Sequence, residues 1–289
     1  VFVNNASSLD VNLVKSRLNA TTVVGDATVN GEGIATISSA DSVTVGNLQG
    51  ELNVAELNTA NVSTLDGNAI IGKNTSTINV DAISGKLTAS DAKGDVNVTT
   101  SAGAIDATLN GGNLVAETVT SETKVNGTGN ATINNANTVT TTKLVGDMTI
   151  GSNSGEVNVD EISGTLTAND AKGDVNVTTS AGAIEATLNG GNLTAETVTA
   201  DAKVNGTGSA TIATAGSVTI DNSLTGNLDI TNTVGSVDAA TITGNATIAQ
   251  NTGVVNVDTI SGTLTANDAK GNVNVTTSAG AIDATLNGG

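Results

Sequence analysis

A short motif, Gly-x-φ-x-φ with φ a small or medium apolar residue, recurs along most of the chain about every nine residues. Alternation of apolar and other residues is the period of a β-strand, because successive side chains point to opposite faces. The glycine two residues before each apolar pair is typical of a tight turn, in which other residues would be strained. Each unit of about nine residues is therefore predicted to be one strand and one turn.

Longer repeats are built on this short one. Residues 84–119 recur as residues 163–198 with four changes in 36 positions, and residues 261–289 repeat the first 29 positions of that second copy with two changes. The copies start 79 and then 98 residues apart, so the two spacings differ by 19 residues, or two short units. Around residues 120–145 and 200–226 the motif is less regular. Such arrays fold as solenoids, in which each repeat stacks on its neighbours.

The number of strands in one coil follows from the two-unit difference. Gain or loss of two strands keeps a two-sided coil in register but rotates a three-sided one out of register. We therefore predict an all-β, parallel β-solenoid (β-helix) with two short strands per coil of about 18–19 residues; a three-sided helix of about 27 residues is the alternative. Residues 1–24 are predicted to be an irregular first coil or a joint, and residues 25–289 the repetitive solenoid.

Composition agrees with a narrow coil. The chain has no Trp, Tyr, Pro, Cys or His and one Phe. Large aromatic side chains usually supply much of a compact core, so a thick core is not expected. Helix is not expected either, since β-branched residues dominate and glycine recurs too often.

The residue between the two apolar positions is expected to point outwards, and it is most often Asn or Thr. In a two-faced coil, residues 18 apart lie above one another. The sequence thus predicts ladders of Asn158 on Asn176, Asn256 on Asn274 and Thr149 on Thr167, stabilised by hydrogen bonds along the stack. A flat array of this kind also suggests binding to ice or a polysaccharide surface, although Asn, Asp and Glu interrupt the Thr rows.

Calcium is the one cofactor considered for the turns, because acidic nine-residue repeats occur in calcium-binding β-rolls. The turn at residues 91–95 carries Asp91 and Asp95. However, the turns lack regularly repeated aspartates, and they contain lysines: Lys93, Lys172 and Lys270. Solvated turn charges are the simpler interpretation, so no cofactor and no metal ligand is assigned.

Catalysis is not expected, and no catalytic or binding residue is assigned. Without His or Cys the chain has no imidazole base and no thiolate nucleophile. Asp106 and Glu117 are the carboxylate pair considered for glycoside hydrolysis. The uniform repeat leaves no long insertion to build a cleft around them, and aromatic residues that stack on sugars are missing.

Partners are limited by charge and hydropathy. The net charge of −18, from 28 acidic and 10 basic residues, disfavours binding to nucleic acid. No apolar run approaches the 18 or more residues of a membrane span. The start, Val1-Phe2-Val3, is neither an initiator Met nor a signal peptide, which suggests a mature product or an excised fragment.

The unit Gly-Asp-Val-x-Val, as in residues 94–98 and 173–177, resembles bacterial adhesin solenoid domains with GDVxVxxxSG repeats. The chain also resembles the Thr-Asn-Gly-Val-rich solenoids of secreted adhesins and S-layer proteins, over about residues 25–289. The resemblance implies a bacterial cell-surface setting and carries over no site residues.

The function predicted from the sequence is that of a non-enzymatic, extracellular structural or adhesive segment of a bacterial surface protein, a rigid repeat rod. The alternative is a building block of a self-assembling S-layer, sheath or filament, which would associate with itself. Ice or polysaccharide binding is the third reading, and its ligand is not identified.

Overall fold

Short parallel strands make up the computed structural model of this chain, which describes residues 1–288 and contains no helix within them. The last position of the third predicted copy, Gly289, lies outside the described residues. The chain divides into two compact units, Val1–Val145 and the residues from Gly146 onwards. Both units are parallel β-solenoids, as the repeat predicts.

The first unit contains ten strands, several of which bend through corners between coils. They are β1 (Phe2–Ala6), β2 (Leu9–Asp66), β3 (Ala69–Asn74), β4 (Ile78–Ile83), β5 (Leu87–Ala92), β6 (Val96–Ser101), β7 (Ile105–Asn110), β8 (Leu114–Thr128), β9 (Ala131–Thr141) and β10 (Leu144–Val145).

Within residues 146–288 the second unit contains fifteen strands, most of them six residues long, which are numbered onwards. They are β11 (Met148–Asn153), β12 (Val157–Ile162), β13 (Leu166–Ala171), β14 (Val175–Ser180), β15 (Ile184–Asn189), β16 (Leu193–Thr207), β17 (Ala210–Ile220), β18 (Leu224–Thr225), β19 (Leu228–Thr233), β20 (Val237–Ile242), β21 (Ala246–Asn251), β22 (Val255–Ile260), β23 (Leu264–Ala269), β24 (Val273–Ser278) and β25 (Ile282–Leu286).

Strand pairing confirms the coil with two faces. Most six-residue strands pair in parallel with the next strand but one: β4 with β6, β5 with β7, β12 with β14 and β13 with β15. The longer β8 and β16 continue through a corner, and each pairs with both of the strands before it. Consecutive six-residue strands therefore alternate between two opposite faces. Paired residues are most often 17 or 18 apart, as for Leu52 with Ala69 and Ala60 with Ile78. The coil is thus slightly shorter in places than predicted.

The less regular stretches of sequence correspond to shorter coils. In the first unit β8 pairs with β9 through a register shift between Val119 and Glu122, and in the second β16 pairs with β17 through a shift between Val198 and Asp201. After the second shift the paired residues are 16 apart, as for Ala202 with Val218. A coil that loses one or two residues at a corner breaks the nine-residue period but keeps the pairing of its strands.

Three side chains of each regular strand point into the solenoid. In β12 these are Val157, Val159 and Ile162, which are all buried. The predicted apolar pairs are the first and third positions of the strand. In most of these strands the sixth position is a further inward site that the motif does not include, because a pair of outward residues separates it from the third. In β7 and β15 the fifth residue, Leu109 or Leu188, is buried instead.

The sixth position also explains why polar residues are buried in this core. Ser101, Asn153 and Asn251 occupy it and are almost completely inaccessible to solvent. The Oγ of Ser101 donates a hydrogen bond to the carbonyl of Gly103 at 2.8 Å, and Nδ2 of Asn251 donates to the carbonyl of Gly253 at 3.1 Å. A buried polar group without a partner is destabilising, so these side chains fit here because they bond to the adjacent corner.

Glycine is required at the corners mainly because the coils approach closely there. One column in the second unit runs Gly155, Gly173, Gly191, Gly208, Gly226, Gly244, Gly262 and Gly280, one glycine per coil. A Cβ on Gly173 would lie 2.0 Å from the carbonyl oxygen of Gly155. Gly173 does not adopt a φ in the left-handed region, so the sequence interpretation of a strained turn is wrong at this position.

Gly190 shows the opposite situation. Its φ is +108°, but no atom lies within 4 Å of the place where a Cβ would be. Here glycine is needed for its backbone conformation, although Gly190 lies three residues before Leu193 and is not the glycine of the motif.

The different surroundings of Gly173 and Gly190 predict different losses of stability when each is replaced by alanine. Gly173→Ala should lower the free energy of unfolding by about 3 kcal/mol or more, because the new methyl group meets main chain that cannot move without disturbing the coil pairing. Gly190→Ala should cost about 1–2 kcal/mol, from backbone strain alone. Urea unfolding of the two variants and the wild type measures both values. Equal costs would contradict the close-approach explanation.

Removal of one whole coil tests the two-faced architecture. Deletion of Leu166–Ala183, 18 residues, joins Thr165 to Ile184 and brings β15 onto β11 with every inward position kept. The variant should keep its β circular dichroism, with a midpoint of thermal unfolding within about 5 °C of the wild type. Deletion of Leu166–Ala171 alone, the six residues of β13, is the control and should lower the midpoint strongly. Unfolding of the 18-residue deletion would contradict a coil with two faces.

Candidate functional site

Columns of asparagine run along the outward surface of the coils. In the first unit, Nδ2 of Asn79 donates to Oδ1 of Asn61 and Nδ2 of Asn97 donates to Oδ1 of Asn79, both at 2.9 Å. The two predicted asparagine ladders are confirmed: Asn176 bonds to Asn158 and Asn274 to Asn256, each at 2.9 Å. Thr149 lies in register with Thr167 as predicted, and a hydrogen bond between these two side chains stays a prediction. These amides bond to one another along the stack, as the structural interpretation of the ladders expects.

A second set of polar side chains connects the corners. Oδ1 of Asp174 accepts from the backbone N–H of Asn192 at 2.9 Å, and Oδ1 of Asn192 accepts from the N–H of Ser209 at 2.9 Å. The series continues with Oδ1 of Asn227, which accepts from the N–H of Asn245 at 2.9 Å. Each of these side chains accepts from the main chain of the following coil. Short Asn, Asp and Ser side chains suit this role because they reach nearby backbone groups without a long flexible stem.

The carboxylates considered for calcium have partners of the same kind. Oδ1 of Asp95 accepts from both the N–H and Nδ2 of Asn113 at 3.0 Å, and Oδ1 of Asp91 accepts from Nδ2 of Asn110 at 2.7 Å. Within residues 1–288 no group of three or more acidic side chains is arranged to hold a metal ion. Calcium binding in these turns stays a prediction, for which these residues would have to exchange a partner.

Asp106 and Glu117, the carboxylate pair considered for catalysis, lie on opposite faces of the coil. Asp106 belongs to β7, which pairs with β5, whereas Glu117 is in the part of β8 that pairs with β6. Asp106 forms a salt bridge of 2.8 Å with Lys86, and Oε2 of Glu117 accepts from Nδ2 of Asn134 at 2.6 Å. The structure does not bring these two carboxylates together.

Lysines of the second unit pair with aspartates on the outer surface. Lys172, one of the three turn lysines, lies 3.3 Å from Oδ2 of Asp170, and Lys203 pairs with Asp221. The salt bridge with Asp221 raises the pKa of Lys203. These pairs are exposed, so each contributes little to stability.

Asp170 has the most elaborate environment of the outer carboxylates. Its Oδ1 accepts from Nδ2 of Asn189 at 2.5 Å and its Oδ2 accepts from Oγ of Ser152 at 2.9 Å. These hydrogen bonds, the one from Asn189 above all and then those from Ser152 and Lys172, lower the pKa of Asp170 below its ordinary 3.8. Its φ of +49° is left-handed, a conformation that aspartate tolerates better than most residues.

The surface depressions are shallow and lie on the faces. One of about 240 Å³ in the second unit is lined by Asp221, Asp238 and Asp258 together with Asn256. Two of its acidic groups have partners: Asp238 accepts hydrogen bonds from Oγ of Ser236 at 2.5 Å and from Nδ2 of Asn256 at 2.6 Å, and Asp221 pairs with Lys203. Contacts within the surface thus account for Asp221, Asp238 and Asn256.

Comparison of the chain with protein-family models, curated proteins and solved structures gives no match. The likeness to adhesin and S-layer solenoids therefore depends on the repeat residues and on the solenoid fold. As for membranes, none of the residues 1–288 forms a helix of the length and hydropathy that a membrane span needs.

Asp170 predicts a pH-dependent contribution to stability. Because folding lowers its pKa below 3.8, the stabilisation is complete above that value and is lost as the pH falls through the lower pKa of the folded state. Asp170→Asn should therefore be less stable than the wild type near pH 7, and the difference should shrink below about pH 4. Urea unfolding of both proteins between pH 7 and pH 2 measures it.

Asp160→Asn is the matched control. It removes the same charge from an outward position, and Asp160 makes no hydrogen bond or ion pair with any described residue. A destabilisation by Asp160→Asn as large as that of Asp170→Asn would assign the effect to net charge and not to the contacts of Asp170.

Proposed function

We propose that this chain is a non-enzymatic structural segment of a bacterial extracellular surface protein, in which stacked coils hold other parts of the protein in place or present them for adhesion. The observation that carries the proposal is the use of polar side chains. The columns that begin at Asn61 and Asp174 bond to the next coil instead of converging on a cleft. A surface organised in this way serves the stacking of coils.

Composition supports the same proposal. Histidine and cysteine are missing, which removes the commonest acid–base and nucleophilic groups. The excess of 28 acidic over 10 basic residues keeps a repetitive β-protein soluble and discourages pairing between the faces of separate molecules. The resemblance of the GDVxV units to adhesin solenoids supplies the cell-surface setting.

A self-assembling layer, sheath or filament is the second candidate, supported by the likeness of the Thr-Asn-Gly-Val-rich repeats to S-layer solenoids.

Labelling of intact cells tests the first proposal. Antibodies against residues 1–289 should bind unpermeabilised cells of the source organism, and external protease should remove the signal while a cytoplasmic marker stays intact. Labelling that appears only after lysis would overturn the extracellular role.

The physical state of the purified chain separates the two candidates. A structural segment should sediment as a monomer at micromolar concentration, and electron micrographs of the cells should show no regular array that the antibody decorates. Polymers in solution together with a decorated array would favour the second candidate instead.

A further inference from the structure

An outward apolar residue, Ile70, interrupts the polar surface of the first unit. The second position of a six-residue strand points outwards, and in every other strand of that length it is Asn, Thr, Asp or Glu. In β3 it is Ile70, which is 49% exposed. The residues in register with it on the neighbouring strands, Asn53 and Thr88, are polar. Ile70 therefore projects from the face as a single apolar side chain.

A shallow depression lies beside Ile70 on the same face. Its volume is about 210 Å³, and Ser38, Asn53, Ala55 and Gly72 form part of its lining. Gly72 has no room for a side chain, because a Cβ there would lie 2.4 Å from the carbonyl oxygen of Ala55. The close approach of β2 and β3 thus places a hollow next to the outward isoleucine.

Two charged side chains beside the depression have no partner within the described residues. Glu56 and Lys73 are in register on β2 and β3. Neither side chain forms an ion pair or a hydrogen bond with residues 1–288, whereas three other lysines pair with aspartates. The outward positions of residues 52–57 and 69–74 carry these two charges and no other, so this part of the face is neutral although the whole chain is acidic.

The outward side chains of residues 52–57 and 69–74 are called the Ile70 face below. We propose that the Ile70 face is the contact surface of a closed dimer, in which the partner is a second copy of this chain. A two-fold axis parallel to the strands, midway between the two segments, relates the copies. It reverses the order of the coils but keeps the place of each residue along its strand. Both copies then use the same surface, and no further copy adds to it.

This symmetry makes the Ile70 face complementary to itself. Ile70 of one copy lies against Asn53 of the other copy and enters the adjoining depression beside Ala55. Glu56 of each copy lies opposite Lys73 of the other. The dimer thus gives two ion pairs to side chains that have none in the single chain. Burial of the isoleucine provides affinity, and the ion pairs fix the register of the two copies.

The neighbouring coils allow this arrangement. Asp91 is in register with Lys73 on the next strand of the same face, β5. The two-fold axis brings it opposite Ser39 of the second copy, which lies one coil before Glu56. No carboxylate therefore meets another at these positions, and the acidic excess of the chain does not oppose the contact there.

The size of the contact predicts a weak dimer. Strands lie about 4.8 Å apart and six residues span about 20 Å, so contact over about five strands covers about 500 Å² per copy. The total of about 1,000 Å² is near the lower limit for a specific interface. We expect a dissociation constant on the order of 0.1 mM, which leaves the chain almost entirely monomeric at micromolar concentration.

The opposite face of the same unit provides a matched control, Val115. This residue is outward and 37% exposed, and it lies in the part of β8 that pairs with β6. Its acidic neighbour Glu117 already bonds to Nδ2 of Asn134. Val115 is thus an exposed apolar residue that lacks the free charges of the Ile70 face.

The proposal does not rest on the surface role argued above, because it concerns the purified chain alone. A dimer closed by a two-fold axis does not polymerise, so it is also distinct from a self-assembling layer. A chain that is monomeric at every concentration would leave the structural role standing. Failure of surface labelling on intact cells would leave the dimer standing.

Analytical ultracentrifugation of the whole chain between about 10 µM and about 1 mM tests the proposal. The wild type should show an equilibrium of monomer and dimer. Ile70→Ser should raise the dissociation constant at least tenfold, and Val115→Ser should leave it unchanged. Both positions are outward, so both variants should keep the circular dichroism of the wild type. A wild type that stays monomeric, oligomers larger than a dimer, or equal effects of the two substitutions would overturn the proposal.

An exchange of charges tests the register of the two copies. Glu56→Lys alone and Lys73→Glu alone each place like charges opposite one another in a dimer of identical chains, so each should weaken association at least tenfold. An equal mixture of these two variants should associate about as tightly as the wild type, because both contacts of the mixed dimer then join opposite charges. Ultracentrifugation with a fluorescent label on one variant measures this association. A mixture that associates no better than the separate variants would overturn the two-fold arrangement.

Discussion

The parallel hydrogen bonds between each coil and the next are the interaction on which the rest of the structure depends. They place most residues beside a partner 17 or 18 positions away, as Leu52 lies beside Ala69 and Ala60 beside Ile78. Each residue therefore has to pack against the residue at the equivalent position of the next coil. At the corners this leaves no room for a side chain, and a column of glycines results. On the faces, stacking favours residues whose side chains form hydrogen bonds with an identical side chain in the next coil. Columns of asparagine result.

The same stacking explains the composition. Inward side chains from two opposite faces meet in a narrow interior, which Val, Ile, Leu and Ala fill while Trp and Tyr are missing. Such an interior gains less apolar area per coil than a thick core, so its stability accumulates over many coils. In the six-residue strands, polar residues enter it only at the sixth position, where Ser101 and Asn251 bond to the adjacent corner. The longer strands β8 and β9 bury Thr123 and Thr141 as well.

Much of this architecture could be predicted from the period of the sequence, and the exceptions have physical reasons. The first and third positions of the six-residue strands always carry apolar residues, so the motif reveals them. The sixth position holds Ile83, Ser101 and Asn74 in successive or neighbouring strands, and this mixture hides it from a hydrophobic pattern. The sequence does not distinguish a glycine that is required because two coils approach closely from one that is required because its φ is positive. Only the distance from Gly173 to the carbonyl of Gly155 separates the two. Whether Asp106 and Glu117 lie on the same face depends on where the corners of the coil are. The pairing of β7 and β8 defines those corners.

A fold that uses its polar side chains to join coils has few places left for recognition. The ladders already satisfy one another, and Asp238 and Asp221 of the acidic depression bond to Ser236, Asn256 and Lys203. The inner coils likewise pair with the coils on both sides of them. Because each coil supplies partners to the next, the interaction that builds the solenoid also occupies most of the polar groups that a ligand would use.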